Sequence, residues 1–142
     1  MQKVVIDTNV ILSAFISPNG VSSCVLHLVY SDSSTKICYN EKIFAEYREK
    51  FLHSKFDKYN FDNYEFEKLL HHTITEGILI NPSSNDIKLP DEDDRIFYDT
   101  AKKSGAILIT GDKHLLNLGE DFIITPTAYL HSQAKFIIMD EM

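Results

Sequence analysis

Three apolar residues followed by an acid, Val4-Val5-Ile6-Asp7, constrain this chain more than any other stretch. Residues 2–6 read as a strand. The apolar run is continuous rather than alternating, so both faces of that strand must be covered, which is the situation of a parallel sheet. Asp7 stands where the strand ends, followed by the small polar residues Thr8 and Asn9. A carboxylate there is costly to desolvate unless something cationic or hydrogen-bonding meets it. The position of Asp7 therefore raises the question of which other residues reach it.

The rest of the chain alternates strand and helix patterns. Val10–Ile16 begins a helix, broken at Ser17-Pro18-Asn19-Gly20. A second helix runs from Ser22 or Ser23 to about Ser31, with Val25, Leu28 and Val29 on its buried face. Lys36–Tyr39 is a short strand, and Asn40 caps a helix carrying Ile43, Phe44, Tyr47 and Phe51. Asp57–Asn63 has no clear period. Residues 62–76 are helical again, with Phe66, Leu69, Leu70 and Ile74 inward, and Ile78–Ile80 is a strand. The acids of 91–94 open a helix whose buried side is Ile96, Phe97 and Ala101, ended by Ser104-Gly105. Ala106–Ile109 is a core strand, Lys113–Leu118 a short helix and Phe122–Ile124 the last strand. Pro126 opens a final helix to about Gln133, and Phe136-Ile137-Ile138-Met139 is a small added strand or a partner contact. This order predicts one domain over 1–142, a three-layer α/β/α sandwich with a mostly parallel sheet of about five strands.

Composition excludes several classes. No stretch approaches the length of a membrane span, and the chain opens directly on a strand pattern, which argues against secretion. Cys24 and Cys38 lack metal-site spacing and read as buried free thiols of a reducing, cytoplasmic protein. Net charge is −7, from 14 basic and 21 acidic residues. Residues 36–68 are balanced, with seven of each sign, while 86–142 hold eleven acids against six bases. That balance argues against gripping nucleic acid by charge alone, but not against placing metal ions between carboxylates and a phosphate.

In a parallel sheet, functional groups collect beyond the carboxyl ends of the strands. Asp7 and Asp112 follow the first and fourth strands. Asp94 sits in the first turn of the helix leading into the fourth, so it falls at the same edge. Glu46, inside the helix after the second strand, can turn toward the same cleft. Hard oxygen donors without His or Cys suit Mg²⁺ or Mn²⁺, and such a site suits phosphoryl transfer. Thr8, Asn9 and Thr110 are placed to orient ligands through hydrogen bonds. Each acid also has a plainer reading: Asp7 and Asp112 as helix caps, Asp91 and Asp93 as charges serving a helix N-terminus, Glu46 as a solvated helix residue. His71, His72 and His114 read as surface, and Tyr59, Phe61 and Tyr64 as local packing rather than base-stacking groups.

At these residues the chain resembles the PIN-domain family of metal-dependent ribonucleases, and within it the toxin branch of toxin–antitoxin pairs, related to VapC-type toxins. The matching pieces are Val4–Ala14, Ile43-Phe44-Ala45-Glu46-Tyr47, the run Asp91–Ala101, Ile109–Leu116 and Ile124-Thr125-Pro126. The resemblance covers nearly the whole chain and is weakest at 52–76. It carries the family's acidic ligands onto Asp7, Glu46, Asp94 and Asp112, and its supporting polar positions onto Asn9 and Thr110. Asp94 is favoured over Asp93 because it lies seven residues before Ala101, as in the family's helix pattern. The resemblance implies cleavage of RNA with Mg²⁺ or Mn²⁺, a homodimer and an antitoxin protein that covers the site. The RNA groove would draw on Lys42, Arg48, Lys50 and Lys113.

Two other readings compete with an endoribonuclease. One is a catalytically weak or inactive module of the same fold that binds RNA or a protein. The other is a phosphatase or phospho-acceptor with Asp7 as nucleophile, which meets an amide, Asn9, where a second acid is expected.

Overall fold

A computed structural model describes residues 1–53, 63–83 and 87–141, with side chains as far as Ala134. The elements are β1 (Gln2–Ile6), α1 (Thr8–Ile16), α2 (Val21–Ser31), β2 (Thr35–Tyr39), α3 (Glu41–Phe51), α4 (Asn63–Glu76), β3 (Ile78–Leu79), α5 (Arg95–Ser104), β4 (Ile107–Ile109), α6 (Lys113–Leu116), β5 (Ile123–Ile124) and α7 (Pro126–Glu141). A 3₁₀ turn over Glu92–Asp94 leads into α5. No single helix among the described residues is long and apolar enough to cross a membrane.

The five strands form one sheet in the order β3-β2-β1-β4-β5, with every pairing parallel. The predicted α/β/α class is what the chain adopts. Val4, Val5 and Ile6 are each no more than 1% exposed, as a strand covered on both faces requires. Burying each such side chain contributes about 1.5–3 kcal/mol, enough to keep β1 at the centre. The chain builds outward from β1 to β2 and β3, then returns to the other side for β4 and β5. The strand order therefore reverses between β1 and β4, and the crevice beyond their carboxyl ends is where such sheets place their ligands. Asp7 and Asp112 follow these two strands.

Polar side chains tie the helices to this edge. Asn40 accepts the Ile43 N–H at 3.0 Å as the cap of α3. Its amide also donates to Ile80 O at 3.1 Å and to the Thr100 hydroxyl at 2.9 Å, which joins α3, the end of β3 and α5. The buried Tyr47 hydroxyl donates to Ile6 O, so α3 hangs directly on the end of β1. Phe51 stacks on Phe66 with ring centroids 3.9 Å apart, joining α3 to α4.

Several local expectations are corrected. The final helix does not stop near Gln133. It runs to Glu141, so 136–139 is helix and not an added strand; a short apolar run suits either element, and one directly behind a helix can continue it. Ile74 is 53% exposed, and Thr73 takes the inward position on α4, where its hydroxyl bonds the Tyr30 hydroxyl at 2.8 Å. Tyr98, Asp99 and Thr100 join Phe97 and Ala101 on the buried side of α5, while Ile96 is only half-buried, because α5 packs against both β1 and β4. Cys24 and Cys38 are both free, but Cys24 is exposed. Tyr64 is exposed; Tyr59, Phe61 and most of the Asp57–Asn63 stretch lie outside the described residues.

Gly77 marks a tight approach between α4 and β2. A methyl group there would sit 2.4 Å from Thr73 O and 2.5 Å from Ile37 O, both backbone atoms that cannot swing away. Gly77→Ala is expected to cost about 1–3 kcal/mol by overpacking, read as a lower urea midpoint with an unchanged slope.

Candidate metal centre

The ends of β1 and β4 each carry an acid that also starts a helix. Asp7 is the N-cap of α1, its Oδ1 accepting the Thr8 N–H at 2.8 Å. Asp112 is the N-cap of α6, its Oδ1 accepting the His114 N–H at 2.9 Å. Asp91 caps the 3₁₀ turn, its Oδ1 accepting the Asp93 N–H at 3.0 Å. Capping and clustering are therefore compatible in these residues. Each cap holds one carboxylate oxygen and so fixes the direction of the other.

Thr110 couples the two strand ends. It is fully buried, and its hydroxyl donates to Asp7 Oδ2 at 2.6 Å while accepting the Asp112 N–H at 2.9 Å. A hydroxyl has one proton to give; with an amide N–H already pointing at its oxygen, that proton is directed onto Asp7.

Asp94 ends the 3₁₀ turn. It is 8% exposed, whereas Asp93 is exposed, and its Oδ2 is a buried oxygen with no hydrogen-bond partner. Native folds rarely leave such an atom orphaned, and a missing ion is one of the standard reasons. Its carboxyl group also meets that of Asp112. Burial first, then the carboxyl group of Asp112 and the charges of Asp7 and Asp91, push Asp94 up to about 8. Glu46 accepts a hydrogen bond from the Thr8 hydroxyl, and burial followed by the charge of Asp7 pushes it up to about 7. Asp7 is also raised, by burial, against the opposing pull of its bonds from Thr110 and Thr8.

The structure thus brings Glu46, Asp7, Asp112 and Asp94 to one edge, where they act on one another as like charges. Asn9 lies in the first turn of α1 and is exposed. The tightest grouping is a different one. Among the described residues, ligand atoms of Asp91, Asp94 and His114 lie within 4.8 Å of one another. Asp91 and His114 read from the sequence as a helix-terminus charge and a surface ring. The signal for Asp91 was its spacing: three residues before Asp94 across a 3₁₀ turn, where side chains at i and i+3 eclipse. The signal for His114 was its place two residues after the cap Asp112, in a first turn that begins at the same edge.

Excess carboxylate, hard oxygen donors and an orphaned buried oxygen on Asp94 fit a divalent cation. The Lys50 charge lowers Glu46, but burial and the Asp7 charge outweigh it.

Two comparisons bear on this arrangement. A family model described as PIN domain matches residues 3–114. An uncharacterized protein of Methanocaldococcus jannaschii is 34% identical over 146 residues, covering 95% of this chain and 94% of the relative.

Proposed function

The chain belongs to the PIN-domain family, and from that premise we propose that it is an endoribonuclease that hydrolyses RNA phosphodiester bonds with Mg²⁺ or Mn²⁺. PIN domains are generally metal-dependent nucleases, so the class of chemistry follows from membership. The observation that carries the reading to this chain is the orphaned, buried Asp94 Oδ2 among acids whose mutual repulsion calls for a cation.

In this reading Asp7, Glu46, Asp94 and Asp112 hold the metal. Bound there, a divalent ion would activate water, neutralise the scissile phosphate and stabilise the leaving oxygen. The protein's own contribution is positioning. Thr110 and the Thr8 N–H fix both oxygens of Asp7, while the Thr8 hydroxyl turns Glu46 inward. The 3₁₀ turn presents Asp94 against Asp112. Rigid ligands need little reorganisation when charge develops on the phosphate. Exposed Lys42, Lys50 and Lys113 offer cations to the RNA backbone, and Arg48 adds one once it leaves its exposed pair with Glu67. The same reading extends, on the sequence resemblance, to a cytoplasmic, homodimeric toxin held by an antitoxin protein.

The test is incubation of mixed RNAs with the purified chain and Mn²⁺, with and without a chelator. Cleavage with Mn²⁺ and none with chelator is expected; RNA left intact across Mg²⁺ and Mn²⁺ would sink the proposal. Growth arrest on induced expression, relieved by Asp7→Asn, tests the toxin role separately.

A further inference from the structure

Asp91, Asp94 and His114 come from two pieces of chain: the cap and the last residue of the 3₁₀ turn, and the first turn of α6. Their ligand atoms lie within 4.8 Å of one another. Around a cation with bonds of about 2.0–2.2 Å, three ligand atoms stand roughly 3.3–3.8 Å from one another. Closing the present arrangement onto an ion thus needs ligand atoms to approach by about an ångström or less. Small shifts are available, since Asp91 is only half-buried and the His114 ring is 59% exposed. The third member, Asp94, cannot retreat into solvent, and it carries the buried oxygen with no partner.

We infer that Asp91, Asp94 and His114 form a mixed oxygen–nitrogen site for a divalent cation of borderline character, such as Mn²⁺, Co²⁺ or Zn²⁺, on the α6 side of the acidic crevice. The donor set sets the selectivity. Imidazole nitrogen binds first-row transition ions far better than it binds Mg²⁺, which keeps to carboxylate, carbonyl and water oxygen. The site shares Asp94 with the nuclease reading and so deepens it. The carboxylates toward Asp7 suit a hard ion, while the side toward His114 discriminates in favour of a softer one. The cap geometry holds two ligands in place: Asp91 Oδ1 is tied to Asp93 N–H, and the His114 backbone N–H is tied to Asp112 Oδ1. The rival role for His114 is that of a cation. Its Nδ1 lies 3.8 Å from Asp112 Oδ1, so a protonated ring would pair with the acids and compete with a metal.

Calorimetric titration of the full chain with Co²⁺ and, separately, with Mg²⁺ distinguishes the two roles. His114→Ala and Asp91→Asn are the variants; the first removes an exposed ring, and the second keeps a good capping side chain. Each is expected to weaken Co²⁺ binding at least about tenfold, and His114→Ala is expected to leave Mg²⁺ binding within about threefold. In the native chain, paramagnetic Co²⁺ should broaden the ring resonances of His114. Tighter Co²⁺ binding in His114→Ala identifies the ring as a paired cation and overturns the site. So does a loss of Mg²⁺ affinity as large as that of Co²⁺. A chain that binds Co²⁺ through His114 yet cleaves no RNA leaves this site standing and removes the proposed function. Cleavage with Mg²⁺ together with unchanged Co²⁺ affinity in both variants does the reverse.

Discussion

Asp94→Asn is expected to lose RNA cleavage by at least about 10³-fold and yet to melt at a higher temperature than the native metal-free chain. The loss follows from removing a metal-holding charge, and effects of that size are usual when a group acting on developing charge is deleted. The gain in stability follows from burial. Asp94 is 92% buried by its 8% exposure, faces Asp112 and has an unpartnered oxygen. An amide of the same shape removes the charge that the fold must desolvate. The gain is about 1–3 kcal/mol, or several degrees in melting temperature for a chain of this size. Because Asp94 is pushed up to about 8, the native residue is largely protonated at pH 6 and charged at pH 9. The stabilising effect should therefore be small at pH 6 and largest near pH 9. Thermal melts in chelator at both pH values check it. An Asn variant that cleaves normally, or that melts lower at pH 9, contradicts this account of the site.

The second large effect is on pH. Asp94 and Glu46, pushed up to about 8 and about 7, hold protons in the metal-free fold that the unfolded chain releases near its ordinary carboxylate range. In that window the folded state binds more protons than the unfolded state, so stability falls as pH rises from about 5 to about 8. This slope is opposite in sign to that of a carboxylate paired with a base. A metal must displace those protons. Mn²⁺ affinity is accordingly expected to drop about a hundredfold or more between pH 8 and pH 6, and Mn²⁺ binding at pH 8 should release protons, measured by titration in buffers of different ionisation enthalpy. A pH-independent affinity would show that these acids do not hold the ion.

Much of the architecture can be read from residue patterns because β1 and β4 are buried on both faces and therefore continuously apolar. The strand order puts the acids that follow them at the reversal point of the sheet. The limits of that reading are physical too. A helix-terminus acid and a metal-holding acid look alike, since Asp7, Asp112 and Asp91 each cap a helical turn through one carboxylate oxygen. The contribution of Asp91 depends on a 3₁₀ turn, whose three-residue repeat is hidden in a run of four acids between Pro90 and Arg95. His114 is invisible to spacing rules because its companions come from another stretch of chain. The extension of α7 past Gln133 was obscured by an apolar run that suits strand and helix equally.

The Thr110–Asp7 hydrogen bond spans 103 positions. At roughly 5–20 residues per second of synthesis, about 5–20 s separate the emergence of the two residues it joins. During that interval β1 has no β4 beside it, and Asp7 has neither Thr110 nor its acidic neighbours from the later half. The acidic crevice at the end of β1 is thus incomplete until β4 joins the sheet beside it, and its first residue waits on partners made about a hundred residues later.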